Sequence, residues 1–126
     1  MRLRVPLALF TGVLIGLAVG GPLRAQKQPA AFYVAEVAVN DTEADKRVLA
    51  RFPSPAEAFG GRYLSRGGKS LTFIGEPPKR LILVAFDTLD AVRLWRDAPQ
   101  TRQFEDERKA VGSTILRAFA VEGLPQ

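Results

Sequence analysis

From residue 32 to 40 the chain reads FYVAEVAVN, with Tyr33, Ala35, Val37 and Val39 at one parity and Phe32, Val34, Glu36 and Ala38 at the other. A period of two in a run rich in Val and aromatics predicts a first strand. Asn40-Asp41-Thr42 then reads as a helix entry, with Thr42 and Asp45 spaced as a capping box, and Ala44, Val48 and Phe52 recur at four-residue intervals on one helical face. Pro53 interrupts. Ser54-Pro55-Ala56-Glu57 restarts the helix, and Gly60-Gly61 ends it. Residues 62–66 predict a second strand, Gly67-Gly68 a tight turn or a bulge, and residues 69–74 a strand-like continuation. After the loop at 75–78, residues 80–86 (RLILVAF) are apolar at both parities, the pattern of a strand covered on both faces. Asp87-Thr88 caps a helix in which Leu89, Val92 and Trp95 or Arg96 keep helical spacing. A further helix over about 100–110 places Phe104 on an otherwise charged surface, Gly112 stops it, and residues 114–121 predict the last strand.

The element order is β-α-β-β-α-β, so the expected fold is α+β: a ferredoxin-like antiparallel sheet with helices on one face. The doubly apolar strand at 80–86 implies that the other face is hydrophobic too, and so short a chain has nothing left to cover it. The simplest cover is a second copy. The expected assembly is a homodimer whose sheets pack face to face as an α/β barrel.

The first 25 residues carry a different pattern: Arg2 and Arg4, an apolar run over 5–20 broken only by Pro6 and Thr11, then Gly21-Pro22 ahead of Ala25. These are the basic, apolar and cleavage regions of a signal peptide. The expected organisation is a signal peptide over 1–25, a flexible tail over 26–31 and one domain over 32–123. The expected location is exported, periplasmic or secreted, the alternative being an N-terminal anchor over residues 5–23. No stable membrane association is expected once the leader is removed.

Composition then narrows the chemistry. The 126 residues hold 18 Lys+Arg against 13 Asp+Glu, with no His and no Cys. Arg2, Arg4 and Arg24 fall in the leader with no acid beside them, so most of the basic excess leaves with it, and nucleic acid is not an expected partner. Without His or Cys there is no Ser-His-Asp or Cys-His nucleophile, no Cys/His zinc site and no His or Cys ligand for haem or copper. No cofactor and no metal is expected.

What remains is carboxylate, Tyr and Arg chemistry. Glu36 interrupts an apolar strand and is the candidate general base, set against the plainer reading of a carboxylate paired by Arg62, Arg80 or Arg117. Arg62 and Arg66, four apart in a strand, are expected on one face, with Arg80 near them. Together they suit a carboxylate or phosphate of a small anionic ligand, or else structural ion pairs with Glu36, Glu76 or Asp87. Tyr33 and Tyr63 are candidate hydrogen-bond donors to that ligand, and Trp95 is expected in the core. Gly67-Gly68 lacks the Lys-Ser/Thr of a phosphate loop. The charges over 105–109 read as a solvated helix face.

The run Gly60-Gly61-Arg62-Tyr63-Leu64-Ser65-Arg66-Gly67-Gly68 resembles the signature of the domain of unknown function 1330 family, a branch of the dimeric α/β-barrel superfamily. Tyr33, Gly75 followed by Pro78 and Arg80, Phe86, Ala91, Trp95, Pro99 and the closing Val121-Glu122-Gly123 match as well, so the resemblance spans about 31–123. It implies ferredoxin-like protomers that dimerise, and it implies no activity. The histidine-dependent enzymes of the wider superfamily lend no residues to a chain without histidine. Two functional classes follow. One is a small-ligand binding or assembly module with its pocket at the barrel mouth. The alternative is a cofactor-free enzyme, isomerase- or monooxygenase-like, moving a proton on a small carbonyl or aromatic compound with Glu36 as base and Arg62 or Arg80 holding the anion.

Overall fold

The computed structural model describes residues 30–125, so the predicted leader and most of the predicted tail lie outside the described residues. Four strands and three α-helices are described: β1 (Ala31–Val39), α1 (Thr42–Arg51), β2 (Arg62–Arg66), β3 (Arg80–Phe86), α2 (Leu89–Asp97), α3 (Pro99–Lys109) and β4 (Ser113–Glu122), with a 3₁₀ helix at Pro55–Phe59. The sheet is antiparallel in the order β2-β3-β1-β4, the ferredoxin-like arrangement predicted. Ala31, assigned above to the tail, is the first residue of β1 and is fully buried.

The period of two in β1 does what it predicts. Ala31, Tyr33, Ala35 and Val37 are buried and, with Val84 and Phe86 of β3, meet Val92 and Trp95 of α2 in the core. Phe32, Val34 and Glu36 point to the other side, where the register sets them against Ala85, Leu83 and Leu81 of β3 and Val121, Phe119 and Arg117 of β4. Among the described residues no helix packs there, so Phe119 and Val121 remain 48% and 52% exposed. One face of the sheet is a core wall and the other an open apolar surface.

Local chemistry sets the helix ends, in places differently from the prediction. Asp41, not Thr42, caps α1 by accepting from the Ala44 N–H at 3.0 Å, and Asp45 is drawn inward rather than back to the cap. Ser54 does cap the next segment, accepting from Ala56 N–H at 3.3 Å, but only a 3₁₀ turn forms before Gly60, at φ +84°, ends it. Thr88 caps α2 through Ala91 N–H at 3.1 Å, as expected.

Two local features matter for the site. Of the turn and the bulge left open at Gly67-Gly68, the turn forms, with Gly67 at φ +82°, and a bulge lies earlier, where the β2–β3 register slips between Tyr63 and Ser65. Residues 69–74 are not a strand, and the whole connection 67–79 runs without helix or strand.

Candidate functional site

Tyr33, Ala35 and Val37 of β1 and Ile82 and Val84 of β3 floor a cleft of about 300 Å³ on the helix side of the sheet. Trp95 and Phe104 wall it from the helices and Ile115 from β4, while Glu105, Asp106, Arg108 and Lys109 supply the charge. The walls are there because Phe104 is the apolar residue that α3 turns inward and Trp95 is the anchor of α2. The Tyr33 ring meets Trp95 edge-on at 4.7 Å, and Phe86 backs the indole at 5.2 Å.

Electrostatics keep this cleft neutral inside and charged at its lip. Burial pushes the Tyr33 phenol above its ordinary pKa; the nearby Arg96 charge opposes this and the Glu105 charge adds to it. Tyr33 is therefore a neutral hydroxyl at physiological pH, fit to donate or accept a hydrogen bond but not to act as a phenolate base. Arg96 donates to both oxygens of Glu105, its Nη2 lying 3.3 Å from Oε2, so that pair is self-satisfied. The Trp95 indole N–H is buried without an acceptor among the described residues, a state that costs about 1–3 kcal/mol.

A second cleft of about 210 Å³ adjoins the first and shares Tyr63, Ile82, Phe104 and Arg108 with it. Here the lining includes Arg66 and Arg80. The Arg66 guanidinium stacks on the Tyr63 ring at 3.7 Å and sees Glu57 only at 3.9 Å. Tyr63 is held in turn by its hydroxyl, which donates to the Ser54 hydroxyl. Arg80 is 34% exposed at its side chain and reaches Asp45 only at 3.8 Å, beyond hydrogen-bond distance.

Behind these arginines sits a buried ionic node. Asp45 is 1% exposed and accepts from Arg108 through Nε at 2.8 Å and Nη2 at 2.9 Å, and from the Ser113 hydroxyl at 2.7 Å. Burial alone raises the Asp45 pKa, but the hydrogen bonds from Arg108 and Ser113 and the charges of Arg108 and Arg80 outweigh it and hold the carboxyl below its usual range. The node ties α1, α3 and the start of β4 together.

The six residues singled out from sequence do not form one site. Tyr33, Tyr63, Arg66 and Arg80 are on the helix side and line the two joined clefts. Glu36 and Arg62 are on the open face, Glu36 opposite Arg117 and Arg62 opposite Ala85. Arg62 and Arg66 were expected on one face by their four-residue spacing; the one-residue slip in β2 sets Arg66 opposite Ile82, at the other parity, and so on the opposite face. Within one chain, then, the sheet separates the candidate base Glu36 from Arg66 and Arg80, and Arg62, though on the face of Glu36, stands beyond β3 and four register positions along it, opposite Ala85 where Glu36 is opposite Leu81, so the proton-transfer arrangement does not assemble.

Sequence reasoning missed Asp45, Arg108 and Ser113, and it read 105–109 as a solvated face, whereas Glu105 and Arg108 are both engaged. The signal was present: Thr101, Phe104 and Arg108 follow three and four apart, so Arg108 shares the buried stripe of α3. Asp45 likewise adjoins the Ala44 and Val48 stripe of α1.

Solved structures that share this fold include two of one protein. One is described as the RPA0582 protein of unknown function from Rhodopseudomonas palustris, a structural genomics target. It is 16% identical with a TM-score of 0.54, over 81% of this chain and 88% of that one. The methylated form of RPA0582 superposes with a TM-score of 0.53 at 18% identity, over 79% and 84%. No curated protein matches the chain. Residues 30–124 match the family described as domain of unknown function (DUF1330), and with three quarters of its length inside that match the chain belongs to this family.

Proposed function

We propose that this is an exported, dimeric small-molecule-binding protein whose ligand is an amphipathic carboxylate. Its apolar body lies against Trp95 and Phe104 in the larger cleft and its carboxylate faces Arg66 and Arg80 in the smaller one. The observation that carries this reading is the junction of the two clefts along Tyr63, Ile82, Phe104 and Arg108. An apolar slot opening onto guanidiniums without close acceptors is complementary to a molecule with one apolar and one anionic end. Tyr33, as a neutral hydroxyl, suits a carbonyl or ether oxygen on the apolar body. Export is supported by the basic, apolar and Gly-Pro pattern of residues 1–25, and dimerisation by the open apolar face of Phe32, Val34, Leu83, Phe119 and Val121.

Trp95 is the only tryptophan in the chain, so its fluorescence reports the cleft directly. Titration with phenylacetate is expected to give a saturable change, with phenylacetamide binding more weakly. Arg66→Gln with Arg80→Gln removes two charged donors worth about 1.5–3 kcal/mol each. The double variant is therefore expected to weaken phenylacetate binding at least tenfold and to leave phenylacetamide unaffected. Equal binding of acid and amide, or no saturable signal from either, overturns the reading.

A further inference from the structure

Resting on the dimeric reading, we infer that residues 69–74 form an arm that adds to the β4 edge of a second copy of the chain. The segment KSLTFI has the composition and alternation of a strand, yet among the described residues it pairs with nothing, and Leu71, Phe73 and Ile74 stand 84%, 89% and 95% exposed. Scattered exposed apolar residues are ordinary, but three nearly bare ones within four positions of one loop are not. The arm has a fixed root: Gly67, at φ +82°, donates its N–H to the Leu81 carbonyl at 2.8 Å, so the connection leaves and rejoins the sheet at one point. Twelve residues, 68–79, lie beyond that root, and half of them extended reach about 20 Å. A four-stranded sheet is about 15 Å across, so the arm is long enough to reach past its own sheet onto another.

The occupant follows from what the same molecule leaves unpaired. The sheet order β2-β3-β1-β4 ends on β4, a ten-residue strand whose outer backbone groups have no strand beside them among the described residues. Leu116, Phe119 and Val121 on that strand are half exposed. A two-fold axis that runs along the strands and closes two such sheets face to face sets the β2 side of each beside the β4 side of the other. The arm continues from β2, so the operation that covers the open faces also brings each arm to the partner's free edge. A strand-type segment supplies the missing backbone hydrogen bonds there, and its apolar side chains supply cover. An unrelated partner would have to satisfy the arm, the edge and the face separately; a second copy satisfies all three at once.

The test is the dimer dissociation constant of the exported protein, measured by sedimentation equilibrium. The triple variant Leu71→Ser, Phe73→Ser, Ile74→Ser removes side chains that touch almost nothing within the chain, so its circular dichroism should be unchanged while its dissociation constant rises at least 100-fold. Because the chain has no cysteine, a Phe73→Cys protomer mixed with a Val121→Cys protomer provides a second readout, independent of the triple variant. Mild oxidation should yield the mixed disulfide-linked dimer. A monomeric wild-type protein overturns the arm and the dimeric reading together. A wild-type dimer that the triple variant matches in affinity, or that forms no mixed disulfide, overturns the arm alone.

Discussion

Asp45→Ala is expected to destabilise the domain by about 3–5 kcal/mol, because it leaves the Arg108 guanidinium in a nearly dry site without its carboxylate. The total stability of a domain this size is only about 5–15 kcal/mol, so the urea midpoint of the variant should fall by at least about a fifth. Asp45→Asn is the gentler probe: the Ser113 hydroxyl can still donate to the amide oxygen, while the charge and one acceptor oxygen for Arg108 are lost. The pH dependence has a fixed sign. The folded carboxyl titrates below its unfolded value of about 3.9, so the contribution of Asp45 is fully present above that value and is lost as pH falls through the lower, folded one. The gap in unfolding free energy between the parent and Asp45→Asn should therefore be constant from pH 7 down to about pH 5 and close below pH 4. A gap that does not change with pH would mean that the ion pair is not what the node contributes.

That node also marks where sequence reading reached its limit. Alternation in β1 grouped Tyr33, Ala35 and Val37 on one face, the face that is buried, and the doubly apolar β3 correctly implied a second hydrophobic face, because both groupings follow from the backbone period alone. The order of the elements was enough for the sheet topology. The candidate site was less legible because it depends on parity. One extra residue in β2, with no Gly or Pro to announce it, put Arg66 beside Tyr63 and Arg62 on the far side of the sheet. Asp45 and Arg108 are 63 positions apart, and only tertiary packing brings their helices together. Read separately each is an ordinary surface charge; read on its helical stripe each points inward. Residues 69–74 show the converse case, in which local pattern predicts a strand but a strand needs a neighbour, and none lies beside this segment among the described residues.

The other large effect is expected at Phe86, the last residue of β3. Its ring is buried against Trp95 on one side, and on the other its tip closes on the backbone of Gly61: a Cβ built there would lie 2.8 Å from Phe86 Cζ and 2.9 Å from both Cε1 and the Ala56 carbonyl oxygen. Glycine at 61 is thus a matter of space, not of backbone conformation, since the positive φ of the Gly60-Gly61 pair belongs to Gly60. Phe86→Ala should cost about 3–5 kcal/mol through the cavity it opens under the indole. Gly61→Ala should cost about 1–3 kcal/mol by overpacking. The two are not independent, because removing the ring removes two of the three close contacts that make Gly61→Ala expensive. The third remains: Ala56 accepts from the Gly61 N–H at 2.9 Å, and its carbonyl cannot retreat without losing that bond. The double variant is therefore expected to be more stable than the sum of the single costs predicts by about 1 kcal/mol, with a residue of the Gly61 cost still visible. Urea unfolding of the four proteins, followed by circular dichroism and by Trp95 emission, measures that coupling. Strict additivity would show that the Gly61 backbone and the Phe86 ring do not share one space, and the close packing of the 3₁₀ turn against β3 would lose its explanation.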